Sequence, residues 1–244
     1  MMFSILFSIC LLIVFPAIGG QLPPYLKPCQ LKSPDFTKCA IKNANSAIPS
    51  LLGGVKEFDV PSFTPLRIPL VQFSSGDLFL NGTDLVLTGF PDFTVTNFLF
   101  DPEKRLMGLD LKNPKLEIDL QININGKIGS LRIEGNGPAK FILYAANYMY
   151  RLNYTTKQKK GKTHAIFEKD DFEIKPENLH IHIDNLFNGN KLLGDNMNKV
   201  LNENWPEVLK ELRPVISEVV GSIIRRMLVN LFRKVPLEEL LIGY

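Results

Sequence analysis

Three histidines, His164, His180 and His182, are the chain's only side chains whose ordinary pKa places a charge change near neutral pH. His180 and His182 stand two residues apart, so on a strand they share one face, as paired metal ligands can. Leu179, Ile181 and Ile183 take the opposite face and are apolar. That face turns inward, which leaves both imidazoles in water, and a metal set is not expected. A hydrolase acting on lipid esters would need a nucleophile beside one of these bases. The Gly-x-Ser-x-Gly elbow that would supply one is absent, as are a Walker-type phosphate loop, a His-Glu-x-x-His helix and an EF-hand loop. Gly135-Asn136-Gly137 lacks the third glycine and the following helix of a dinucleotide fingerprint, and it reads as a turn. No catalytic residue and no cofactor are assigned. The run from Lys157 to Lys162 reads as a solvated hairpin tip, with an anionic docking patch as its alternative.

What remains for function is apolar surface. Of 244 residues, 45% are hydrophobic, while 28 Lys+Arg nearly balance 25 Asp+Glu for a net charge of +3. So small an excess makes no field that could neutralise many phosphates, and nucleic acid is not an expected partner. Aromatic and aliphatic residues beyond what packing needs can line a cavity for an apolar ligand. The same residues would also make a dense core, so composition leaves open a secreted signalling or interaction protein with a fully packed interior.

The compartment is read from the N-terminus. An apolar run from Phe3 to Phe15 precedes the first charge at Lys27, and small residues Ala17 and Gly19 stand two apart before Gln21. This is the form of a signal peptide over residues 1–19, followed by a single domain over residues 20–244; an uncleaved anchor is the alternative. The protein is expected in extracellular fluid, without stable membrane insertion. Cys10 leaves with the leader, so Cys29 and Cys39 form one disulfide, with a stabilisation of roughly 2.5–3 kcal/mol from so short a loop. Asn81-Gly82-Thr83 and Asn153-Tyr154-Thr155 are glycosylation sequons that fit such a route.

The elements that position the apolar surface follow from its period. Residues 38–52 have helical spacing, stopped by Gly53-Gly54. Pro61, Pro65 and Pro69 then exclude helix and central strand and predict an extended connector. From about residue 70 to 183 the period is two, most plainly where Leu116, Ile118, Leu120, Ile122 and Ile124 alternate with polar residues. Asn-Gly, Gly-Asn-Gly and Lys-Lys-Gly-Lys clusters fall between the strands and predict hairpins, hence an antiparallel sheet.

From about residue 192 to 235 the apolar spacing is helical again and stays in register through Pro206 and Pro214, which are expected to bend one unit rather than end it. Some 44 helical residues span about 66 Å, against a diameter of roughly 45 Å for a domain of this size. From residue 215 to 232 apolar side chains cover more than half of the circumference, so the helix needs covering from several sides. The fold class is α+β, with a highly curved antiparallel sheet wrapped around a long C-terminal helix and enclosing a hydrophobic tunnel. The lining is assigned to Phe93, Val95, Leu116, Ile118, Leu120, Ile122, Phe141 and Leu143 on strands and to Met197, Leu201, Val208, Leu212 and Ile216 on the helix. Trp205 is read as an anchor between helix and sheet.

Several passages resemble the insect takeout and juvenile-hormone-binding protein family. They are Leu22-Pro23-Pro24-Tyr25-Leu26-Lys27-Pro28-Cys29 with Cys39 ten residues on, residues 182–190 leading into Leu201-Asn202-Glu203-Asn204-Trp205, and Phe232-Arg233-Lys234-Val235-Pro236-Leu237-Glu238-Glu239-Leu240. The resemblance implies the wrapped-helix fold, and a soluble carrier of juvenile hormone, related terpenoids or fatty-acid-like molecules, with an unidentified receptor as a further partner. Lepidopteran hormone carriers of that family have a second disulfide. No cysteine follows Cys39, so the chain looks more like the takeout-type branch.

Overall fold

A computed structural model describes residues 22–244; the expected leader and Cys10 lie outside them. The chain opens with β1 (Cys29–Gln30) and α1 (Phe36–Leu52), joined by the Cys29–Cys39 disulfide. Helix α1 ends where Gly54 turns to φ +86°, a left-handed conformation with backbone of Ser62 3.0 Å from where a Cβ would stand.

Seven antiparallel strands then form one sheet. They are β2 (Leu66–Ser75), β3 (Leu78–Thr88), β4 (Thr94–Asp101), β5 (Leu106–Ile128), β6 (Leu131–Lys159), β7 (Lys162–Lys175) and β8 (Asn178–Ile183). The order is β2-β3-β5-β6-β7, with β4 also on β5 and β8 also on β6. The spine is the β5–β6 pair, 23 and 29 residues long, in register from Leu106↔Asn153 to Ile128↔Leu131. Each spine strand serves two shorter neighbours on its outer edge. Strand β5 takes β4 on its first part and β3 on its last, while β6 takes β8 near its middle and β7 on its last part.

Strand β2 begins at Leu66 and carries Pro69, where an extended connector was expected. Its only strand partner among the described residues is β3, and the pairing runs Ile68↔Leu85 then Leu70↔Thr83, so the residue without an N–H sits on an edge strand where the ladder tolerates it. Gly135-Asn136-Gly137 is not a turn. It runs inside β6, paired with Ile124, Asn123 and Ile122. Its glycines allow close approach instead: a Cβ at Gly135 would stand 2.7 Å from a Leu186 methyl, and one at Gly137 would stand 3.1 Å from the Asp184 carbonyl. The Lys160-Gly161 pair does turn the β6–β7 hairpin, both residues at positive φ.

The C-terminal helical pattern divides into α2 (Lys191–Glu203) and α3 (Trp205–Lys234). Pro214 lies inside α3, but Pro206 marks a break, at Asn204 (φ −115°, ψ 30°). Pro206 has no N–H to donate, which the first turn of a new helix tolerates. The break also fits the molecule's size, since 30 helical residues span about 45 Å, the domain's own diameter. Helix α2 packs on β8, and α3 packs on β7, β8 and β5. After α4 (Leu237–Leu240), β9 (Leu241–Ile242) pairs in parallel with β1, holding the chain's end to the disulfide loop. One large apolar core, including Ile122, Ile133, Tyr150, Leu201 and Leu237 at 1% exposure or less, lies between helices and sheet.

Candidate functional site

Period two points Leu116, Ile118, Leu120 and Ile122 of β5 to one side of the sheet, and the in-register partners Phe141 and Leu143 of β6 to the same side. Between this face and α3 lies a cavity of about 300 Å³. Ordinary interiors hold few voids larger than one water, whose share of liquid volume is about 30 Å³. The lining includes Ile48, Leu51 and Leu52 of α1, Ile68 of edge strand β2, Phe172 and Ile174 of β7, and nine residues of α3 from Leu209 to Met227. Side chains from strands four places apart in the sheet, β2 and β7, thus line one space with the helix.

Nine of the thirteen assigned residues line this cavity: Phe93, Leu116, Ile118, Leu120, Ile122, Phe141, Leu143, Leu212 and Ile216. Four lie elsewhere. Val95 is buried on β4, where its backbone N–H and carbonyl pair with the amide of Asn45 from α1 at 2.8 and 3.0 Å. Met197 and Leu201 are on α2, which covers β8, and Val208 is buried in the first turn of α3. All four follow helix or strand spacing, and spacing shows which side is dry but not which dry residue borders a void. Trp205 is partly buried against the core at the α2–α3 junction, off the cavity.

The lining residues left unassigned include further positions on β3, β5, β7, β8 and α3, and others from the flanks of the fold: α1, β2, Phe63, Phe90 and Tyr148. The helical spacing of Ile48, Leu51 and Leu52 was visible, but not that α1 would lie against the open side of the strands. Among the described residues no charged side chain lines the cavity, and Tyr148 lines it with apolar atoms alone, no polar atom of the wall facing the space. Its oxygen is buried with no hydrogen-bond partner, and the ring lies 4.9 Å from Phe93 and 6.3 Å from Phe172. Burial pushes the phenol well above its usual pKa, so it stays protonated and can donate.

The histidines take no part. His180 and His182 sit on the exposed face of β8, His182 Nε2 3.0 Å from Asp184 Oδ1, and His164 Nδ1 lies 2.9 Å from the Phe232 carbonyl. No cluster of three His, Cys, Asp or Glu residues that could hold a metal occurs among the described residues. Of the sequon asparagines, Asn153 is exposed, whereas Asn81 is half-buried with its Oδ1 buried and unpartnered. No helix of the described residues is long and apolar enough to cross a membrane.

A sequence model of the family described as haemolymph juvenile hormone binding protein matches residues 7–242. No curated protein matches the sequence. Among solved structures the fold is similar to that of Takeout 1 from Epiphyas postvittana, with a TM-score of 0.79 and 24% identity, covering 88% of this chain and 99% of that one. That likeness shows a shared fold: a large antiparallel sheet with a long C-terminal helix.

Proposed function

Because the chain belongs to the haemolymph juvenile hormone binding protein family, we propose that it is a secreted carrier which holds a small hydrophobic ligand, terpenoid or fatty-acid-like, in the cavity between the sheet and α3. The single observation that carries this reading is the void of about 300 Å³ with an apolar lining. An apolar ligand gains about 25 cal/mol for each Å² removed from water, and a wall without charge imposes no desolvation cost on either side. Lining from both β2 and β7 supports a sheet curled around α3. No bond in the ligand is made or broken in this scheme; capture is burial alone.

The wall exposes no polar atom to the cavity, so the best-matched ligand is apolar along the whole length that it buries. Secretion rests on the leader-like N-terminus and on the Cys29–Cys39 disulfide. The sequon at Asn153, being exposed, is the better placed to carry a glycan.

The test is native mass spectrometry, with lipid extraction, of protein secreted by insect cells. A co-purifying apolar molecule that is displaced by a fluorescent fatty acid is the expected result. Protein that neither retains lipid nor takes up the probe would overturn the carrier assignment.

A further inference from the structure

The outer side of the α3–β7 seam carries a groove of about 520 Å³, separate from the cavity within. Its walls include Asp170 and Asp171 of β7 with Ser217, Glu218, Ser222 and Arg225 of α3. One residue, Phe172, borders both groove and cavity. At that level α3 contributes Gly221, which has no side chain to add; a Cβ there would stand 3.3 Å from Asp170 Oδ2 and 3.9 Å from Phe172 Cβ. Phe172 is thus the one residue at which the groove and the apolar interior adjoin.

On its outer side the seam beside that residue is closed by polar contacts. Strand β7 pairs only with β6 here, so its other edge faces α3. Ser217 donates to the Phe172 carbonyl at 3.1 Å, Arg225 pairs with Asp170, and the Tyr150 hydroxyl donates to Asp170 Oδ2 at 2.8 Å. Arg225 is half-exposed while the Asp170 side chain is only 7% exposed, so water can reach one partner of the pair. Side-chain rotations at such a contact, and of one ring, are fast compared with opening a packed core.

We infer that Phe172 is a gate and the Asp170–Arg225 pair its latch, forming a side entrance through which an apolar ligand passes between water and the cavity. This rests on the cavity being the ligand site. A gate alters the barrier and leaves both end states unchanged, so it changes association and dissociation rates by one common factor and leaves affinity alone.

The experiment is stopped-flow fluorescence with cis-parinaric acid as probe on the full mature chain. Arg225→Gln is expected to speed uptake and release together, by about threefold or more, with equilibrium affinity unchanged. Ser222→Cys provides a variant that does not depend on refolding around a lost ion pair. Ser222 is exposed, and with Cys29 and Cys39 bonded its thiol is the only free one in residues 22–244. Capping it with a bulky maleimide after folding is expected to slow both rates by about tenfold against the uncapped protein. Uptake at wild-type rates by the capped protein overturns the side entrance and leaves the carrier reading standing. A wild-type protein that takes up no probe overturns both.

Discussion

The side-chain amide of Asn202 pairs with the backbone of Ile181 as a neighbouring strand would. Its Oδ1 accepts from the Ile181 N–H at 2.9 Å, and its Nδ2 donates to the Ile181 carbonyl at 2.6 Å. One helical turn earlier, Asn198 does the same to Ile183, at 2.9 and 3.0 Å. Strand β8 has its other edge on β6, so helix α2 closes the free edge with two amides at i and i+4. Leu179, Ile181 and Ile183 face inward, and the free-edge backbone groups of Ile181 and Ile183 are all paired.

Replacing Asn202 with leucine strips both partners from Ile181 and is expected to cost about 1–3 kcal/mol for each group left unpaired. Chemical denaturation checks this. Asn202→Asp, which keeps the acceptor and loses the donor, should fall between leucine and wild type.

Leu120 points into the cavity from the middle of β5, against the space over Gly82. Leu120→Trp adds volume where room exists, so uptake of a fluorescent fatty acid should drop while the far-ultraviolet circular dichroism stays the same. Undiminished uptake would show that the ligand lies elsewhere.

Tyr148→Phe removes a buried hydroxyl that has no partner in the empty protein. The unliganded variant should be as stable as wild type or more so, by about 1 kcal/mol, because an unsatisfied buried group is lost. Because no polar atom of the wall faces the cavity, affinity for a carbonyl-bearing ligand and for a plain hydrocarbon of equal length should both stay as in wild type. Calorimetry with such a matched pair checks this.

Glu238 accepts the Thr163 N–H through both oxygens, at 2.9 and 3.1 Å, and so ties α4 to the start of β7. Burial opposes its charge, but hydrogen bonds at Thr163 prevail and hold the carboxyl below its usual value of 4.5. Asp110, where burial is likewise outweighed by hydrogen bonds from Arg151 and Asn97, lies below its usual 3.8. A depressed carboxyl binds fewer protons folded than unfolded, so both stabilise the fold fully above about pH 5 and lose that effect as pH falls through their folded pKa values. Thermal midpoints measured downward from pH 6 should fall, and the slope should be shallower in Glu238→Gln.

Residue order alone was enough for the most strongly patterned elements and their dry sides. Alternation at Leu116–Ile124 and at Leu179–Ile183, and helical spacing from residue 38 to 52, are local properties of the chain, set by which residues shun water at a period of two or 3.6. Nine of the lining residues were legible for that reason, and the Cys29–Cys39 pairing was legible because only two cysteines follow the leader. Tertiary structure decided the rest. Whether Gly135-Asn136-Gly137 turns or runs straight depends on Leu186 and Asp184, fifty residues away, and whether Pro206 bends or breaks a helix depends on how far the sheet extends. That Val95 and Leu201 are covered by neighbours while Leu120 borders empty space is likewise a matter of packing between distant segments. A period records only that a side chain avoids water; a void exists only where several such surfaces meet without filling the space between them.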